Sequence, residues 1–100
     1  MIVKGCPQRH YFDFPYVGDD VVAIFITYQQ NGMTKLEKEL DDCTFEDGKV
    51  HVNLTQEDTL KFEDDEIVRM QIRVRLKDGF ATKSDVVETY TDNILKGGVI

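Results

Sequence analysis

Residues 67–77 alternate between apolar and polar side chains, and this alternation constrains the fold more than any other stretch of the chain. The apolar positions are Met70, Ile72, Val74 and Leu76, and the polar positions are Arg69, Gln71, Arg73, Arg75 and Lys77. Successive side chains of a β-strand point to opposite faces, so the pattern predicts a strand with one buried and one exposed face. It also places four of the twelve basic residues in one solvent-facing row. We call Arg69, Arg73, Arg75 and Lys77 the basic row.

Other runs alternate in the same way or are rich in β-branched and aromatic residues, which favours strands. They lie at residues 10–14, 21–28, 33–40, 43–45, 49–54 and 80–90, the last with an interruption near residues 83–85. Residues 49–54 should point Val50, Val52 and Leu54 inward. Residues 21–26 are almost continuously apolar, which predicts a strand covered on both faces. That cover could come from within the domain, or one face could form an oligomer interface.

Local signals also mark the turns and one helix. Asn31-Gly32 lies between two strand-like runs and favours the positive φ angles of a type I′ hairpin turn. Glu46-Asp47-Gly48 predicts a second tight turn. Thr55 can cap a helix whose first turn carries acidic residues, and we expect two turns at most.

The spacing and number of these runs define the expected fold class. Six to eight short strands about 8–12 residues apart, with at most one short helix, predict an all-β fold, an antiparallel β-sandwich of the immunoglobulin-like kind. One hundred residues correspond to a single domain covering residues 1–100. We expect residues 93–100 to form a flexible tail.

Charge and composition exclude several classes of function. The net charge of −7 opposes binding to nucleic acids and to anionic membranes, because both carry negative phosphate groups. Cys6 and Cys43 lie far apart in sequence, which predicts unpaired thiols in a reducing compartment. No segment has the roughly 20 apolar residues of a membrane span. The N-terminus lacks the apolar core of a signal peptide, so we expect the protein in the cytoplasm.

No group of residues in the sequence predicts catalysis, a metal site or a cofactor site. Pairs of acidic residues match no calcium-loop spacing and are typical of turns. His10 and His51 lack an evident third metal ligand. A nucleophilic dyad of Cys6 or Cys43 with a histidine has little support. We therefore expect a protein that is not an enzyme.

The basic row is the one candidate contact site, and two interpretations of it remain open. It can be an exposed strand face paired across strands with acids such as Glu37 and Glu39. Alternatively, it can bind an acidic partner, which includes another copy of this acidic chain in a head-to-tail contact of the kind that closes rings.

An ordered set of segments resembles small proteins encoded among the tail genes of prophages in Gram-positive bacteria. These segments are residues 1–5 (MIVKG), 12–15 (FDFP), 28–32 (YQQNG), 36–38 (LEK), 42–44 (DCT), 52–62 (VNLTQEDTLKF) and 71–75 (QIRVR). The ordered set extends over most of the chain, from residue 1 to residue 75. These proteins are in turn similar to the N-terminal β-sandwich domain of phage baseplate upper proteins, which anchors a receptor-binding apparatus to the tail.

The resemblance implies a structural role in a phage tail or baseplate and no catalytic residue. The expected partners are other tail or baseplate proteins, or copies of the chain itself in a homo-oligomer. The expected location is the bacterial host cytoplasm during assembly and then the virion tail. A small carbohydrate- or peptide-binding β-sandwich module is the alternative function.

Overall fold

The computed structural model describes all residues from Met1 to Ile100 and consists mainly of β-strands. The strands are β1 (Gln8–Asp13), β2 (Val21–Gln30), β3 (Met33–Glu39), β4 (Cys43–Glu46), β5 (Lys49–Leu54), β6 (Ile67–Leu76), β7 (Ala81–Lys83) and β8 (Val87–Tyr90). The one α-helix, α1, covers Gln56–Leu60, and short 3₁₀ helices cover Gly18–Asp20 and Leu40–Asp42. No helix has the length and apolar character needed to cross a lipid bilayer.

The strands form two antiparallel sheets that pack face to face. One sheet has three strands in the order β1-β5-β4, and the other has five, in which β3, β2 and β6 are neighbours and both β7 and β8 pair with β6. The expected all-β sandwich is therefore confirmed. Both predicted tight turns are present, with positive φ angles at Asn31, Gly32, Asp47 and Gly48.

The core lies between the two sheets and contains the side chains that the alternation assigned to it. Val50, Val52 and Leu54 of β5 are at most 2% exposed, and Ile72 and Val74 of β6 face them from the other sheet. Burial of such apolar side chains is the main favourable term in folding.

Helix α1 closes one end of the sandwich. The Thr55 hydroxyl accepts a hydrogen bond from the Asp58 backbone at 3.1 Å, and the Asp58 carboxylate accepts one from the Thr55 backbone at 2.9 Å. These two bonds make a capping box, which satisfies backbone donors at the helix start. Just after the helix, Phe62 packs edge-on against Tyr28, with ring centroids 5.9 Å apart.

The last predicted strand is interrupted where the sequence indicated. Ser84 lies between β7 and β8, and its backbone N–H donates to the Ile72 carbonyl at 2.9 Å. The Ser84 hydroxyl in turn accepts from the Ile72 backbone N–H at 3.0 Å. The serine therefore satisfies both backbone groups of one β6 residue at the gap. After β8, residues 93–100 form no strand or helix, and their flexibility stays a prediction.

The expectation that β2 is covered on both faces within the domain is wrong. Val22 is 42% exposed and Phe25 is 39% exposed, because no second layer covers this side of the five-stranded sheet. The unbroken apolar run has a different cause. The pairing of β2 with β6 shifts register between Val21 and Ala23, so an extra residue interrupts the alternation, and Val21 and Ile24 both point inward.

Candidate protein-contact face

The solvent-facing side of the five-stranded sheet, which we call the outer face, holds most of the basic row. Arg69, Arg73 and Arg75 are exposed and share this face because they alternate with buried residues of β6. Lys77 is also exposed but lies beyond the end of β6, in the turn towards β7. Three of the four predicted residues are therefore on one surface, and Lys77 is at its border.

The two acids named for cross-strand pairing with the basic row, Glu37 and Glu39, are not on a strand next to β6, whereas Glu88 of β8 does lie opposite Arg69. Glu37 and Glu39 are on β3, which pairs with β2 and not with β6. An intervening strand separates these acids from the arginines by about 10 Å, twice the strand spacing. None of the ion pairs within the chain involves an arginine.

The strand registers arrange the outer face in rows that run across the sheet. In the central row Phe25 of β2 lies opposite Glu39 of β3 on one side and Arg73 of β6 on the other, with Lys83 of β7 beyond Arg73. The other rows are Ala23, Arg75 and Ala81; Glu37, Thr27 and Gln71; and Thr34, Gln29, Arg69 and Glu88. On β3, β2 and β6 the acidic, apolar or neutral, and basic side chains thus form three adjacent strips, and the column beyond β6, from β7 and β8, carries mixed charge.

Phe25 is the central feature that sequence reasoning missed. A shallow hollow of about 330 Å³ lies beside it, lined by Ala23, Arg73, Arg75 and Ala81 together with Phe25 and Val74. Exposed aromatic and arginine side chains are the types most enriched at protein-protein interfaces. The continuous apolar run at residues 21–26 was a signal of this surface, but the interpretation that both sides were covered within the domain concealed it.

A set of polar side chains lies between the sheets, and its hydrogen bonds have a structural role. The His10 Nδ1 is 2.8 Å from the Tyr28 hydroxyl, and Lys38 donates to the Asp58 carboxylate at 2.8 Å. Burial lowers the pKa of His10, assisted by the positive N-terminus, and raises the pKa of Tyr28. Both groups are therefore neutral near pH 7, and their hydrogen bond joins the two sheets.

The cysteines and histidines do not form the arrangements considered from the sequence. His10 and Cys43 lie on opposite sides of Val52 in the three-stranded sheet, so a strand separates them. Burial raises the pKa of the Cys43 thiol to about 11, which disfavours the nucleophilic thiolate. His51 is adjacent in sequence to Val52 and thus faces the side of that sheet opposite to His10. The structure contains no group of three potential metal-binding side chains.

No protein-family model matches the chain, and comparisons with curated proteins and with solved structures give no significant match.

Proposed function

We propose that the chain is a non-enzymatic structural protein of a phage tail or baseplate and that it acts through protein-protein contacts made by its outer face. One observation carries the contact role: Arg73 and Arg75, which have no ion-pair partner within the chain, lie beside the exposed Phe25 on a sheet face that no layer covers. The resemblance to small prophage tail proteins supports the setting, namely assembly in the host cytoplasm followed by incorporation into the tail.

The charge distribution supports a protein partner rather than nucleic acid. A net charge of −7 repels phosphate backbones over long range. The arginines of the outer face nevertheless give one region of the surface the opposite sign. Complementary charge of this kind selects partners and orients them, while a central aromatic side chain supplies affinity.

The test is incorporation of the chain into particles. A strain that produces the phage would supply the wild-type chain or the variant with Arg73→Glu and Arg75→Glu, and purified particles would be analysed by quantitative mass spectrometry. We expect the wild-type chain in the particles and at least a ten-fold loss of the variant, since reversal of a buried interface charge costs several kcal/mol.

A matched control carries the same charge change elsewhere. Arg9 is on the three-stranded sheet, Lys96 is in the segment after β8 that belongs to neither sheet, and both are exposed, so Arg9→Glu with Lys96→Glu should leave incorporation unchanged. Circular dichroism and thermal melting would establish that both double variants fold. Absence of the wild-type chain from particles would contradict the tail role, and equal incorporation of both double variants would contradict the role of the outer face.

A peptide-binding module is the second candidate, and the free edge of β1 favours it. β1 pairs with β5 on one side only, and a groove beside it is lined by residues that include His10, Phe12, Met70 and Thr89. An extended peptide could add to such an edge as a further strand. Chemical-shift changes confined to β1 on titration with an extended peptide library would support this candidate over the first.

A further inference from the structure

We infer that the partner of the outer face is a second copy of this chain, bound face to face about a two-fold axis that runs parallel to β2. The inference rests on the proposed contact function of this face and names its occupant. The order of the three strips supports this arrangement: acids lie on β3, apolar and neutral residues on β2, and arginines on β6.

Rotation about an axis parallel to the strands exchanges the two sides of the sheet. The axis lies midway between the two copies and directly above β2, so β2 covers β2 of the second copy. Each β3 strand then covers β6 of the other copy. The acidic strip of one copy therefore faces the basic strip of the other, on both sides of the axis.

The registers make this complementarity specific to individual residues. Phe25 pairs with Glu39 on β3 and with Arg73 on β6, so all three are in one row. The rotation preserves position along the strands. Glu39 therefore faces Arg73 of the second copy, Arg73 faces Glu39 of the second copy, and the two Phe25 rings meet at the axis. Packed sheets cross at about 30°, which displaces a side chain one strand from the axis by only about 2–3 Å.

The next row along the sheet is compatible with the same arrangement. Thr27 lies at the axis, and Glu37 faces Gln71 of the second copy. In the second copy, Arg73 lies one row to one side of Gln71 and Arg69 lies one row to the other, so Glu37 is also within one row of both arginines. Its carboxylate accepts a hydrogen bond from the Thr27 hydroxyl at 3.1 Å and makes no ion pair within its own chain, so it retains capacity for an arginine.

The other two-fold arrangement of the same faces is disfavoured by charge. An axis in the interface but perpendicular to the strands would place β6 on β6 and β3 on β3. Arginine would then face arginine and glutamate would face glutamate, and like charges across an interface cost several kcal/mol.

The size of the face predicts a weak and reversible dimer. In the two-fold arrangement β3, β2 and β6 of each copy overlap, and three strands about 4.8 Å apart with four rows about 6.7 Å apart give roughly 400 Å² per copy. This area is small for a specific interface and is typical of weak, transient contacts. Because the contact depends on ion pairs at its rim, a higher salt concentration should weaken it.

The test uses two single variants and their mixture, with sedimentation velocity as the readout. Arg73→Glu places a second carboxylate opposite Glu39 in each homodimer contact, and Glu39→Lys places a second cation opposite Arg73. Each variant alone should therefore have its dimer dissociation constant raised at least ten-fold. An equimolar mixture should dimerise again, because a dimer of the two unlike variants has no like charges facing each other. On one side of the axis the introduced glutamate at position 73 faces the introduced lysine at position 39. On the other side the native Glu39 faces the native Arg73.

Arg9→Glu is the control, since it makes the same charge change on the other sheet and should leave dimerisation unchanged. A wild-type chain that stays monomeric up to several hundred micromolar would overturn the inference. Dimerisation that survives in Arg73→Glu, or a mixture that stays monomeric, would also overturn it. If the chain is monomeric but Arg73→Glu with Arg75→Glu is lost from particles, the inference fails while the proposed function stands.

Discussion

The Gln30 side chain makes the two hydrogen bonds to Glu63 that a neighbouring strand's backbone would otherwise make. It therefore tests how the segment before β6 is held to the end of β2. Gln30 ends β2 and is 1% exposed. Its Oε1 accepts from the Glu63 backbone N–H at 2.6 Å, and its Nε2 donates to the Glu63 carbonyl at 3.1 Å. The same Nε2 is 3.5 Å from the Thr91 hydroxyl. Gln30 thus fixes the segment between α1 and β6 to the end of β2.

Gln30→Met removes these bonds while it retains the length and unbranched shape of the side chain. Loss of two hydrogen bonds, each worth about 1 kcal/mol, together with partial desolvation of the unpaired Glu63 groups, predicts a loss of about 3 kcal/mol in the free energy of unfolding. For a domain of this size that corresponds to a fall in Tm of roughly 15 °C. Because methionine fills the same space, the loss does not come from a cavity.

Urea denaturation monitored by circular dichroism measures this change, and the neighbouring residue supplies the control. Gln29 faces the other side of β2 and makes only a long contact of 3.4 Å with the Thr34 hydroxyl. Gln29→Met should therefore change the free energy of unfolding by less than about 0.5 kcal/mol. If the two variants lose the same free energy of unfolding, whether small or large, the reasoning about the Gln30 amide is refuted.

Three further predictions concern the helix cap, the buried ion pair and the thiols. Thr55→Ala removes one half of the capping box and should lower the free energy of unfolding by about 1–2 kcal/mol in urea denaturation; no change would contradict the cap. Burial raises the pKa of Asp58, but hydrogen bonds from Lys38 and Thr55 outweigh it and hold that pKa below its usual value. The Asp58 carboxylate therefore stabilises the fold above the pKa that it has in the unfolded chain, and this stabilisation is lost as the pH falls through its pKa in the folded chain. Lys38→Met should reduce this sensitivity to acid, measured as melting temperature against pH. Near neutral pH, Cys43 should react with a thiol reagent at least ten-fold more slowly than the exposed Cys6, since burial raises the Cys43 pKa to about 11 and the thiolate is the reactive form; equal rates would contradict this.

Local features of the fold could be predicted because each depends on few neighbouring residues. Asn31-Gly32 defines its hairpin by the φ angles that these two residues tolerate, and Thr55 defines the start of α1 by its own hydroxyl. The alternation in β6 correctly separated buried residues such as Ile72 from exposed ones such as Arg73.

Strand order could not be predicted, and the candidate site depends on it. Alternation shows which residues share a face but not which strand lies beside which. The expected pairing of the arginines with Glu37 and Glu39 assumed that β3 and β6 are neighbours, whereas β2 lies between them. The same interposed strand places Phe25 between Glu39 and Arg73, and no local pattern in the sequence contains that information.

The separation of opposite charges on the outer face is itself an argument for a partner. Opposite charges on directly adjacent strands stabilise a sheet by a few tenths of a kcal/mol or more. For a monomer, an acid at position 25 of β2, directly beside Arg73, or at position 27, diagonal to Arg73, would place charge where it could pair. Instead, the structure has Phe25 and Thr27 at these positions, and the acids are one strand further away on β3. This arrangement leaves Glu39 and Arg73 of a single chain unpaired, yet a two-fold rotation about an axis above β2 and parallel to it pairs them and buries Phe25 in the same step.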